Sequence, residues 1–345
     1  MKPHLCLSLC LLLLASVSVA GQTLILESNS DTTQLFINIE LEGQPYKMLV
    51  DNGASNTILF LSEQKRSPFK KVSENKVTDR FNRESTIYVL RKAKLSIPSI
   101  DFNYKGSFAS MENKPDRLKE NGLDGILGLD ILSQINYKIN FKTLQLTRIQ
   151  NNSLENNEDW IALTLFQNQE QLQAIEVQFY SNKKELKTDT FIVDLGYDQI
   201  ACIQKKDAQK DAEAIELAFR ETTLGMKIDT SFIKSVDVII GDLKIQNLPI
   251  AVNSSFESNL LGICFFKASN EIYFDMDSQL LWIRKTNNYR FRFKGEKVQN
   301  NRVVAQFILI EELQLPRITI GSLVDDYYYS SPHKILWPPT LFSQK

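Results

Sequence analysis

The sequence predicts an all-β protein, mainly strands, made of two tandem units with a C-terminal extension. Three observations carry that expectation. Short alternating or apolar runs bounded by turn residues follow one another from Thr23 onward, while helical periodicity is sparse. An aspartate ends an apolar run and enters a glycine turn twice, in Lys47-Met48-Leu49-Val50-Asp51-Asn52-Gly53-Ala54-Ser55 and in Phe191-Ile192-Val193-Asp194-Leu195-Gly196-Tyr197. Each turn is followed by an apolar-apolar-glycine marker, with Gly128 lying 77 residues beyond Asp51 and Gly262 lying 68 beyond Asp194. Two markers at matched spacing point to one supersecondary plan used twice.

Residues 1–20 are expected to be an export signal, with Lys2 as the basic start, Leu5 to Leu14 as the apolar stretch, and Ser18 and Ala20 as small residues before cleavage near Ala20. The mature chain is then exported, periplasmic or secreted. A membrane anchor is the competing reading, but the uncharged stretch is at the short end for a span. Residues 21–150 form the first unit. It opens with Gln34 to Leu41, a turn at Gly43-Gln44-Pro45 and Tyr46 to Val50, which reads as strand, turn, strand. Further strands are expected at Thr86 to Leu90, Ala93 to Ile97, Tyr137 to Phe141 and Leu144 to Ile149, with short helices near Asp130 to Gln134 and Lys206 to Leu217. The polar, asparagine-rich run Gln150 to Asp159 marks the boundary.

Residues 151–290 repeat the order. Ala174 to Phe179 alternates like the first opening strand, Ser181 to Glu185 turns, and Thr190 to Val193 leads into Asp194. Lys94 to Phe102 and Val238 to Ile250 both read as strand, turn, strand between the markers. Residues 291–345 fall outside the plan: Val303 to Ile310 and Arg317 to Val324 read as strands, ahead of Tyr327-Tyr328-Tyr329 and Trp337-Pro338-Pro339. This extension either packs on the units or docks a partner.

Composition removes several function classes. With 40 Lys and Arg against 41 Asp and Glu, the chain shows no basic excess for nucleic acid. Cleavage of the signal takes Cys6 and Cys10 with it and leaves Cys202 and Cys264, which either pair or stay as buried thiols. With His333 the one histidine beyond the signal, a four-ligand zinc site and a histidine-based triad are both poorly served. No metal and no cofactor are expected. Asp124 and Asp130 read as a turn acid and a helix-start acid.

The turn Leu49-Val50-Asp51-Asn52-Gly53-Ala54-Ser55 with Ile126-Leu127-Gly128-Leu129-Asp130, and Ile192-Val193-Asp194-Leu195-Gly196 with Leu260-Leu261-Gly262, resemble the retropepsin-like and pepsin-like aspartic proteases. The resemblance spans about residues 34 to 285. It implies two tandem β-barrel lobes related by a pseudo-twofold axis, one aspartate from each, in a monomer that is an internal pseudo-dimer. It also implies that Asp51 and Asp194 are catalytic, that Asn52, Gly53, Ser55, Leu195 and Gly196 support the turns, and that Gly128 and Gly262 are the lobe markers. An extended peptide or protein is the implied substrate, under a hairpin flap at Val77 to Leu90 or Leu217 to Ile233.

Two carboxylates within hydrogen-bonding reach hold one shared proton, and such a pair activates a water while polarising a carbonyl. The chain departs from the family at one point in each turn. The usual Thr or Ser after the aspartate grips the opposite turn; Asn52 is expected to donate through its amide instead, and Leu195 has nothing to offer. Asn52-Gly53 alone is also an ordinary hairpin signal. Two readings stay open: an exported aspartic endopeptidase, or a catalytically silent relative that binds extended peptides or a cell-envelope partner.

Overall fold

The computed structural model describes residues 22–29, 34–62, 69, 71–78, 84–111, 113–150, 157–169, 171–180, 186–197, 200–204, 220–222, 225–227, 231–253, 258–285, 291–299, 302–309 and 318–319. The expected signal, the expected helix Lys206 to Leu217, His333 and the aromatic end lie outside the described residues. No helix among the described residues is long and apolar enough to cross a membrane.

Strands make up 60% of the structure and helices 8%, and the sheets curl into a closed six-stranded barrel and a half-barrel. Residues 22–150 contribute β1 (Thr23–Ile25), β2 (Glu27–Ser28), β3 (Leu35–Leu41), β4 (Gln44–Val50), β5 (Ile58–Phe60), β6 (Lys71–Thr78), β7 (Glu84–Ile97), β8 (Phe102–Met111), β9 (Gly125–Leu127), β10 (Tyr137–Asn140) and β11 (Gln145–Arg148), with helices α1 (Asp116–Glu120) and α2 (Leu129–Leu132). Residues 157–285 contribute β12 (Trp160–Thr164), β13 (Phe166–Gln167), β14 (Gln173–Tyr180), β15 (Leu186–Asp194), β16 (Ala201–Gln204), β17 (Arg220–Thr222), β18 (Gly225–Lys227), β19 (Ser231–Ile240), β20 (Leu243–Asn253), β21 (Asn259–Gly262), β22 (Glu271–Asp275) and β23 (Leu280–Arg284), with helix α3 (Ile263–Lys267). β24 (Phe291–Gln299), β25 (Arg302–Leu309) and β26 (Ile318–Thr319) form a separate three-stranded sheet.

Local chemistry explains the hairpins. In β3 the side chains of Leu35, Ile37, Ile39 and Leu41 face the main core while Asn38 and Glu40 on the other face are exposed, a period-two pattern that breaks only at Phe36, buried in the smaller cluster of Leu49 and Ile126. The turn into β4 is Glu42-Gly43, both at positive φ (50° and 75°), as a tight hairpin demands. The expected turn at Gly43-Gln44-Pro45 therefore sits one residue early, and Pro45 lies inside β4. The two runs expected at Thr86 to Leu90 and Ala93 to Ile97 are one strand, β7, whose register slips against β8 between Leu90 and Ala93. A bulge there breaks the alternation that sequence reading takes as a gap.

The two large sheets share a strand order. One runs β2-β3-β4-β9-β5-β8-β7-β6 with β3 also paired to β7; the other runs β13-β14-β15-β21-β16-β20-β19 with β14 also paired to β19. The extra pairing brings each sheet back on itself. A third sheet, β1-β11-β10-β22-β23-β12, draws equally from both halves of the chain. At its centre β10 and β22 are antiparallel, with Tyr137 opposite Phe274 and Asn140 opposite Glu271. The Tyr137 and Phe274 rings stack at 4.7 Å between centroids, Asn140 Nδ2 donates to Glu271 Oε1 at 2.8 Å, and Met276 N–H donates to Asn136 Oδ1 at 2.7 Å. The shared sheet has a consequence for the core: one continuous cluster runs from Leu24 through Leu127 and Val193 to Ile283, so the halves do not bury separate cores. Cys202 and Cys264 are buried and not joined in a disulfide.

Candidate functional site

Each predicted aspartate leaves the end of a strand beside a parallel neighbour. β4 runs parallel to β9, with Val50 opposite Leu127, and Asp51 N–H donates to the Leu127 carbonyl at 3.1 Å. β15 runs parallel to β21, with Val193 opposite Leu261 and Asp194 opposite Gly262. Val50, Leu127, Val193 and Leu261 are fully buried, so both turns grow from strands anchored in the core.

The turns then have two hydrogen bonds from backbone N–H groups in common. Asp51 Oδ1 accepts from Gly53 N–H and Asp194 Oδ1 from Gly196 N–H, both at 2.9 Å. Ala54 N–H donates to the Asp51 carbonyl and Tyr197 N–H to the Asp194 carbonyl, both at 3.3 Å. Asp194 Oδ1 additionally accepts from Tyr197 N–H at 2.9 Å.

The structure brings the two carboxyl groups together, each seated over the other turn's glycine. A Cβ on Gly53 would lie 2.3 Å from Asp194 Cγ, and one on Gly196 would lie 2.2 Å from Asp51 Cγ. Neither glycine is at positive φ, so the residue type answers to close approach rather than to backbone freedom. Asp194 titrates well above the ordinary carboxylate range. Burial contributes most, followed by the Asp51 charge; a side-chain hydrogen bond to Asp51 adds to it, and the N–H groups of Tyr197 and Gly196 oppose it. A hydrogen bond between two carboxyl groups requires a proton on one of them.

Beside the carboxyl pair, Asn52 links the two turns. Leu195 N–H donates to Asn52 Oδ1 at 2.8 Å, with both residues fully buried. Asn52 thus accepts, where the sequence led us to expect donation, and its Nδ2 has no hydrogen-bond partner among the described residues. The Leu195 side chain packs into the continuous core instead.

Ser55 is exposed, and its Oγ accepts from Asn56 Nδ2 at 3.0 Å. The residue that braces the turn is Thr57, which sequence reading missed. Its Oγ1 accepts from Gly128 N–H at 3.0 Å and donates to Asp130 Oδ1 at 2.7 Å, while its own N–H donates to the same oxygen at 2.8 Å. Asp130 is therefore a cross-brace as well as a first-turn acid of α2, and burial raises its pKa. Gly128 is itself confined, since a Cβ there would meet the Asn56 carbonyl carbon at 2.5 Å. In the other turn the corresponding positions are Ile200 and Cys264, and Gly262 N–H donates to the Ile200 carbonyl at 2.9 Å. The signal for this brace was present only as spacing: Thr57 and Ile200 each lie six residues past an aspartate, and Asp130 and Cys264 each lie two past a marker glycine.

Val77 to Leu90 falls on the β6–β7 hairpin, with Val77 opposite Ser85 and Thr78 opposite Glu84; residues 79–83 lie outside the described residues. In Leu217 to Ile233 the described backbone includes the short pair β17–β18. Among the described residues no group of three or more His, Cys, Asp or Glu side chains is placed to hold a metal ion. Compared with known proteins, the chain matches no family model and no curated protein.

Proposed function

We propose that the chain is an exported aspartic endopeptidase of the two-lobed, retropepsin-like kind. Asp51 and Asp194 hold one shared proton across a pseudo-twofold axis. The ionised carboxylate takes a proton from a water, the protonated one donates to the scissile carbonyl, and a tetrahedral intermediate forms without a covalent adduct or a cofactor. The observation that carries this reading is the reciprocal seating of each carboxyl group on the opposite glycine, which holds two acids at a distance where one proton serves both. The matched strand orders and the β10–β22 ladder support a duplicated, internally paired architecture. The substrate is an extended peptide, and the β6–β7 hairpin and the segment 217–233 are the two candidates for a flap over it.

A second reading has its own observation. Leu195 gives no side-chain grip and Asn52 Nδ2 is unpartnered, which favours a silent relative that binds extended peptides without cutting them. Incubating the purified mature chain with a peptide library across acidic to neutral pH, with and without a statine-type inhibitor, separates the two. Cleavage that falls at least about 100-fold in both Asp51→Asn and Asp194→Asn is the expected result. Statine-sensitive peptide binding without turnover would establish the second reading, and wild-type cleavage by either variant would overturn the pair.

A further inference from the structure

Ala54 and Tyr197 occupy matched positions on the two sides of the carboxyl pair, three residues past each aspartate, and differ greatly in size. Both peptide groups of each are held. Besides the bonds to the aspartate carbonyls, the Ala54 carbonyl accepts from Leu129 N–H at 2.7 Å and the Tyr197 carbonyl from Ile263 N–H at 2.9 Å. Neither Cα is free to retreat and make room for its side chain.

Each side chain is half-buried and rests on an apolar cluster beside its own aspartate strand. Ala54 lies against the cluster of Leu49 and Ile126, whereas Tyr197 lies against that of Ile192 and Leu260. A methyl group thus stands three residues past one aspartate and a phenol ring three past the other. A site with true twofold symmetry accepts an extended chain in two equivalent orientations. This one does not.

We infer that Tyr197 is a specificity-determining residue: it narrows its side of the cleft to small substrate side chains, while the side over Ala54 takes large apolar ones, and the difference fixes the direction in which a peptide lies. The inference rests on the reading of Asp51 and Asp194 as a peptide-hydrolysing pair. One ordinary apolar group gained or lost in a pocket changes discrimination by about 10- to 200-fold.

Cleavage-site profiling of a peptide library by the wild-type chain, Tyr197→Ala, Tyr197→Phe and Ala54→Tyr tests it. The wild type is expected to restrict one flank of the scissile bond to Gly, Ala or Ser. Tyr197→Ala then admits Leu and Phe at that flank with a relative kcat/KM gain of at least about tenfold. Tyr197→Phe, which keeps the ring, retains the wild-type profile, and Ala54→Tyr narrows the opposite flank. An unchanged profile in Tyr197→Ala overturns this inference alone, whereas no cleavage of any peptide by the wild type overturns the peptidase reading and this one with it. Because each readout is a ratio within one variant, partial loss of folded protein does not imitate it.

Discussion

Replacing Gly53 by alanine probes the closest contact in the site. The backbone of Gly53 is not in the left-handed region, so the chain itself accepts a side chain there; the obstacle is Asp194. The new Cβ would lie 2.3 Å from Asp194 Cγ and 2.4 and 2.6 Å from its oxygens, against about 3.4 Å for ordinary contact, so the carboxyl group has to withdraw by roughly 1.1 Å. Overpacking of this kind costs about 1–3 kcal/mol of stability. A displacement of about 1 Å at a reacting group costs on the order of 100-fold in rate. Withdrawal also takes Asp194 away from the Asp51 charge and from the hydrogen bond to it, and both changes lower its pKa towards the ordinary value of 3.8. The assay is a carboxyl-carbon NMR titration of Asp194 in the wild type and Gly53→Ala, with thermal melts of both and peptide cleavage alongside. The titration reads the geometry whether or not the protein cuts peptides. An Asp194 titration and a melting temperature that both match the wild type would refute the reciprocal seating.

Two further predictions follow from neighbouring contacts. The folded-state pKa of Asp194 is raised above 3.8, so the ionised carboxylate penalises folding; that penalty is absent below the unfolded value and grows as pH rises towards the folded one. Asp194→Asn carries no such charge, so its melting temperature should exceed the wild type's near about pH 7 and converge with it near about pH 3; an offset independent of pH would count against the coupling. Thr57→Val keeps the shape but leaves the buried Gly128 N–H unpaired and takes a donor from Asp130, which should cost about 1–3 kcal/mol in denaturant unfolding. A loss within experimental error would show that the brace is not needed.

Much of the strand content was legible because alternation along β3 and apolar runs such as Val50 and Val193 report burial directly. The β7 bulge was not legible, since a slipped register interrupts period two without ending the strand. Thr57 carries no local signal in the sequence and Asp130 reads only as a helix-start acid, because their bond joins positions 73 residues apart, a separation that no local pattern encodes. The direction of the Asn52 hydrogen bond was misjudged for a related reason: an amide both donates and accepts, and only the position of Leu195 N–H selects between them.

The β character, the two aspartate turns and their matched downstream glycines are written in the residue order, because strand alternation and turn residues act over a few neighbours. Tertiary packing sets the rest: each carboxyl group lies on the other's glycine, the Asn52 side chain accepts from Leu195 N–H across the two turns, and one core runs through both halves of the chain. Those outcomes depend on how the two halves of the chain are joined through the β10–β22 ladder, a packing choice made between residues more than 130 positions apart.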